Sequence, residues 1–189
     1  TDGPEHVAAA VEGAVLGGYE LDRYKTEDLD TRKNVESFTV VTGEAAEPLE
    51  EAVRVGRIVA ESQNFARDLV SEPANRLTPL LLAERARRMA DEHGLESEIL
   101  DRKQMEQLGM GALLGVAAGS AEPPAFIILR YRPEGGAAGE EHLGLVGKGI
   151  TFDTGGISIK PSENMDKMKY DMAGGAAVLG AMRALAQLK

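Results

Sequence analysis

The chain of 189 residues contains no cysteine. That excludes disulfides and thiolate metal sites, and it favours a reducing compartment. Histidine is scarce: His6, His93 and His142 are the full set. Each lies in a polar or terminal context, so each reads as solvated surface and none as a metal ligand. No apolar run approaches the roughly 20 residues that a membrane-spanning helix needs, and no signal peptide is visible. Basic residues are in deficit, with 21 Lys and Arg against 31 Asp and Glu and a net charge of −10. A surface of that sign repels phosphate backbones and anionic membranes, so neither nucleic acid nor membrane is expected as a partner.

What is present fits a soluble chain of one or two domains. The hydrophobic fraction of 43% can fill a core, and 28% of residues are charged. Residues 4–18 carry Val7, Val11, Ala14 and Val15 at helical spacing, stopped by Gly17 and Gly18. Residues 25–36 are charged and aperiodic, so a loop is expected. Residues 37–42 (SFTVVT) are rich in β-formers and predict a strand. Pro48 suits the first turn of a helix whose apolar stripe runs through Ile58, Phe65 and Leu69 to Val70. A loop around Pro73 and Asn75 follows. Thr78-Pro79 is a cap and first-turn proline, and the next helix ends at His93-Gly94.

Residues 96–100 predict a strand, and Asp101 a cap for a short helix through Leu108. Residues 113–118 and 125–131 read as buried strands, and 133–141 as an exposed Gly/Glu loop. Arg130 and Arg132 read as a solvated strand edge. Residues 174–188 are helical, with Val178, Met182 and Leu185 on one face. Strands alternating with helices predict an α/β fold, with a mixed, mostly parallel sheet sandwiched by helices.

One stretch departs from this ordinary pattern: residues 143–175, LGLVGKGITFDTGGISIKPSENMDKMKYDMAGG. It sets Lys148, Asp153, Lys160 and Asp171 around Gly147, Gly149, Gly155 and Gly156, after a short apolar run and before a helix. Four charges beside glycine turns are poor material for a core. Loop carboxylates without cysteine or nearby histidine suit a hard or borderline divalent cation. A lysine amine becomes a ligand when a cation and low-dielectric surroundings depress its pKa. A fixed ammonium, in contrast, can polarise a carbonyl or stabilise an oxyanion. Two metals roughly 3.5–4 Å apart would activate a water between them. Two other readings stand beside this one: a loop of solvated or salt-bridged charges, and an anion cradle built from backbone N–H groups. The order G-x-x-x-x-G-K-[ST] of a P-loop is absent.

Residues 147–178, GKGITFDTGGISIKPSENMDKMKYDMAGGAAV, closely resemble the signature of the leucyl aminopeptidase family, the M17 cytosol aminopeptidases. Residues 67–79 (RDLVSEPANRLTP) resemble the opening of that family's catalytic domain, and residues 11–25 (VEGAVLGGYELDRYK) its interdomain helix and strand. The resemblance implies a metal-dependent aminopeptidase that releases N-terminal amino acids, leucine-like preferred, from peptides by a two-metal activated water. It implies two divalent ions, Mn²⁺ or Zn²⁺, with Lys148, Asp153 and Asp171 as ligands and Asp153 bridging. Lys160 would be the catalytic lysine facing the scissile carbonyl, and Met168 would line the pocket for the substrate's first side chain.

The same resemblance implies a cytoplasmic homo-hexamer. It divides the chain into the tail of an N-terminal domain with its linker, residues 1–46, and the N-terminal part of the catalytic domain, residues 47–189. The family's Asp-x-Glu-x-Arg segment does not follow before Lys189, and the chain begins at Thr1 without Met. The expectation is therefore a fragment, inactive alone, that exposes apolar surface. The alternative is a non-catalytic scaffold or a DNA-binding member of the family. The acidic composition speaks against DNA, and retention of all four charges speaks against a scaffold.

Overall fold

The computed structural model describes residues 3–27, 35–43, 47–133 and 142–189. Residues 134–141 of the expected loop over 133–141, and part of that over 25–36, lie outside them. Among the described residues, six helices, two strands and a 3₁₀ helix follow in the order α1 (Pro4–Gly17), α2 (Glu47–Ser71), α3 (Pro79–His93), β1 (Glu96–Leu100), α4 (Arg102–Gln107), α5 (Gly111–Ala117), β2 (Phe126–Arg130), the 3₁₀ helix Met165–Met172 and α6 (Ala173–Leu188). Among the described residues, no helix is long and apolar enough to cross a membrane.

The helix signals act where the residues place them. Thr78 caps α3 by accepting from the Leu81 N–H, and Gly94 closes the helix with φ 72°. Asp101 caps α4 in a full capping box, its carboxylate accepting from Gln104 N–H while the Gln104 side chain accepts from Asp101 N–H. The main core joins α2, α3 and α6. Leu69, Leu77, Leu82, Met89, Met172 and Leu179 are buried in it, and Ile127 and Leu129 of β2 pack against it. A smaller core seats α1 on α2 through Val7, Leu49 and Ala52.

The sheet corrects the expectation of a mostly parallel one. Among the described residues it consists of β1 and β2 paired antiparallel, with Glu96 opposite Arg130 and Leu100 opposite Phe126. The two arginines at its end make diagonal cross-strand ion pairs, Arg130 with Glu98 at 2.7 Å and Arg132 with Glu96 at 3.5 Å. Residues 113–118, expected as a strand, fall mainly in helix α5. Ala and Leu are strong helix formers, and a short apolar run carries no period to tell the two states apart. Residues 37–42 form no strand, and 143–147 have no ladder partner among the described residues. In that last stretch Leu143 and Val146 are 87% and 95% exposed.

Candidate metal and catalytic loop

The chain enters this site along residues 143–150 and lies across the first turn of α6. The Gly175 N–H donates to the Lys148 carbonyl at 2.7 Å. A Cβ on Gly147 would collide with the Gly174 carbonyl, so the approach requires glycine. This crossing carries Lys148 to Asp171, whose Oδ2 lies 2.8 Å from the ammonium. The pair is close but poorly directed: Asp171 Oδ2 is shut off from solvent and accepts no well-aligned hydrogen bond. Asp171 beside it raises the Lys148 pKa, so the lysine is an ammonium in this arrangement.

The second pair comes from a tight turn. Gly155 sits at φ 91°, a region that other residues avoid. Its N–H donates to Asp153 Oδ1 at 2.8 Å, and the Lys160 N–H donates to the Thr154 carbonyl at 2.9 Å. The turn thus folds Lys160 back over Asp153. Lys160 Nζ donates to Asp153 Oδ2 at 2.6 Å, to the Asp153 carbonyl at 3.2 Å and to Met168 Sδ at 3.3 Å. The Lys160 ammonium, then the Gly155 N–H, hold the Asp153 carboxyl down to about 2. The charge of Asp153 also adds to the raised pKa of Lys148. The two ion pairs therefore share one electrostatic site.

Met168 and Asp171 both lie on the 3₁₀ helix, which starts after Asn164 in the left-handed region at φ 60°. Met172, 1% exposed, anchors the helix in the main core. All five residues singled out in the sequence are thus gathered on one loop and one short helix.

Among the described residues, no group of three His, Cys, Asp or Glu stands ready for a metal. The oxygen donors present are the carboxylates of Asp153 and Asp171, and Asp171 Oδ2 is buried. Two ammonium groups currently neutralise the carboxylates, at 2.6 and 2.8 Å. Carboxylate oxygens around a cation position are the chemistry a divalent ion needs, so the residues fit such an ion while filling only part of its shell.

Two residues near the site carried no sequence signal. Glu72 is 5% exposed and gathers Arg23, Tyr24 and Arg85. Lys169 donates to the Ser71 carbonyl at 2.9 Å. Glu72 meets partners 13 and 49 residues away and Lys169 one 98 residues away, so no local spacing marks these pairings. His93, read as solvated surface, is partly buried, and burial first and Arg183 second lower its pKa.

The catalytic-domain signature of the cytosol aminopeptidase family matches residues 64–189. A probable cytosol aminopeptidase of Solibacter usitatus is 64% identical over 99% of this chain and 38% of its own length. One from Aquifex aeolicus is 48% identical over 98% of this chain and 36% of its own. The solved structure of the bottromycin maturation enzyme BotP in complex with Mn superposes with a TM-score of 0.82 at 39% identity, covering 98% of this chain and 37% of that one. The chain thus spans little more than a third of the length of these relatives.

Proposed function

The chain belongs to the cytosol aminopeptidase family, and on that premise we propose that it carries one part of a metal-dependent aminopeptidase site. The whole protein would release N-terminal amino acids, leucine-like ones first, from peptides. The observation that supports this most is the grouping of Lys148–Asp171 with Asp153–Lys160 on a glycine-built loop, with one carboxylate oxygen buried and lacking a directed hydrogen bond. Carboxylates grouped on a tight glycine loop are hard oxygen donors of the kind a divalent cation takes.

In this reading Lys148, Asp153 and Asp171 hold two divalent cations, Mn²⁺ or Zn²⁺, which when bound supply an activated water and a Lewis acid to the peptide carbonyl. Asp153 is fit for that task because it stays ionised far below neutral pH. Lys148 serves as a ligand only as the free amine, so it must give up the proton that its pairing with Asp171 stabilises. Lys160 Nζ donates to the substrate carbonyl oxygen as negative charge gathers there. Met168 Sδ, 3.3 Å from Lys160 Nζ, sets a soft apolar wall beside that carbonyl for the first side chain.

Cytoplasmic location and homo-hexameric assembly belong to the same proposal and rest on the family resemblance. Manganese is the ion to try first, since the superposed maturation enzyme is a complex with Mn. The test is hydrolysis of leucine amide by the intact protein. Activity should vanish on chelation and return with Mn²⁺. Hydrolysis that survives complete metal removal would overturn the reading.

A further inference from the structure

Lys169 has no part in the chemistry above, yet it ties the site to a distant helix. Its Nζ donates to the carbonyl of Ser71 at 2.9 Å. Ser71 is the last residue of α2. The last carbonyls of a helix lack partners within it and carry the negative end of its dipole, so an ammonium is well matched there.

The carbonyl that Lys169 grips is itself held firmly. Glu72, the next residue, is 5% exposed and accepts from Tyr24 Oη at 2.7 Å, Arg23 at 3.2 Å and Arg85 at 3.5 Å. Tyr24 and Arg23 come from the segment after α1, and Arg85 comes from α3. Three parts of the chain therefore converge on the corner at Ser71 and Glu72.

The 3₁₀ geometry turns that anchor into a rotational setting. With about three residues per turn, positions i and i+3 eclipse each other. Met168 and Asp171 are such a pair, and Lys169 lies about a third of a turn away. While Lys169 holds Ser71, Met168 meets Lys160 at 3.3 Å and Asp171 meets Lys148 at 2.8 Å.

We infer that Lys169 is a positioning residue: by gripping the C-terminal carbonyl of α2, it sets the rotation of the 3₁₀ helix and so aims Met168 and Asp171 into the site. The inference rests on the proposed metal-dependent reading of that site. It is tested in the intact protein with Lys169→Met, Lys169→Arg, Glu72→Gln and Asp171→Asn. Mn²⁺ binding is read by electron paramagnetic resonance, and kcat and KM are measured for leucine and alanine amides.

Lys169→Met should weaken Mn²⁺ binding about tenfold, as loss of a residue supporting a metal ligand does, and should lower the preference for leucine over alanine. Lys169→Arg, which keeps a donor within reach of Ser71, should restore both. Glu72→Gln should shift both in the same direction as Lys169→Met by a smaller factor. If Lys169→Met does not fold, Lys169→Arg and Glu72→Gln decide by the same two readouts. Wild-type Mn²⁺ affinity and leucine preference in Lys169→Met, with binding lost in Asp171→Asn, would overturn the role of Lys169 alone. Unchanged binding in Asp171→Asn would overturn the metal reading and this inference with it.

Discussion

Lys160 Nζ lies 2.6 Å from Asp153 Oδ2, folded back across the turn at Gly155. The ammonium keeps the carboxylate ionised and is itself held ready beside Met168. One cation thus neutralises a metal-ligand candidate and stands next to a candidate substrate wall. In the proposed site these become separate tasks: Asp153 turns to the metal and Lys160 to the substrate carbonyl.

Lys160→Ala in the intact protein should therefore lower kcat by a factor on the order of 10²–10³, the usual loss for one oxyanion donor. Mn²⁺ affinity should hold or rise, because Asp153 loses its internal counter-ion. Steady-state kinetics with calorimetric Mn²⁺ titration separates the two effects. Turnover at the wild-type level would remove Lys160 from the chemistry.

Gly147→Ala tests whether the loop must lie directly on α6. The added methyl meets the Gly174 carbonyl, so the backbone has to move. Overpacking of this kind costs about 1–3 kcal/mol, measurable by urea denaturation. The shift should also part Lys148 from Asp171 and weaken Mn²⁺ binding. A variant with unchanged stability and binding would show that the crossing tolerates a side chain.

His93 gives a pH dependence with a definite sign. Burial lowers its pKa from 6.5 in the folded chain, so the unfolded chain takes up the proton first as pH falls. Its contribution to stability is full above pH 6.5 and is lost as pH falls through the folded value. Urea midpoints at about pH 7.5 and about pH 5 should fall further in wild type than in His93→Gln. Equal falls would show that His93 does not couple to folding.

Much of the helical frame was legible because helix ends carry local chemistry. Thr78, Asp101 and Gly94 act as caps through atoms within a few residues of themselves. Both strands of the sheet were legible, at 96–100 and within 125–131, but their pairing was not. The run over 113–118 lacks a period, and antiparallel pairing of β1 with β2 depends on contacts some thirty residues apart. The glycine-flanked charges marked Lys148, Asp153, Lys160 and Asp171 as a group, and the structure brings them into two adjacent pairs. Glu72 and Lys169 escaped notice because their partners are distant in sequence. Lys169 meets Ser71 from 98 residues away, and Glu72 meets Arg23 from 49.

In the proposed site the loop over residues 143–175 holds a divalent cation with Asp171 among its ligands. The most direct measurement is a Mn²⁺ titration of the intact protein and of its Asp171→Asn variant, followed by calorimetry. Saturable binding to the wild type is expected, with binding to the variant at least about tenfold weaker. Equal binding by the two proteins, or none by the wild type, would contradict it.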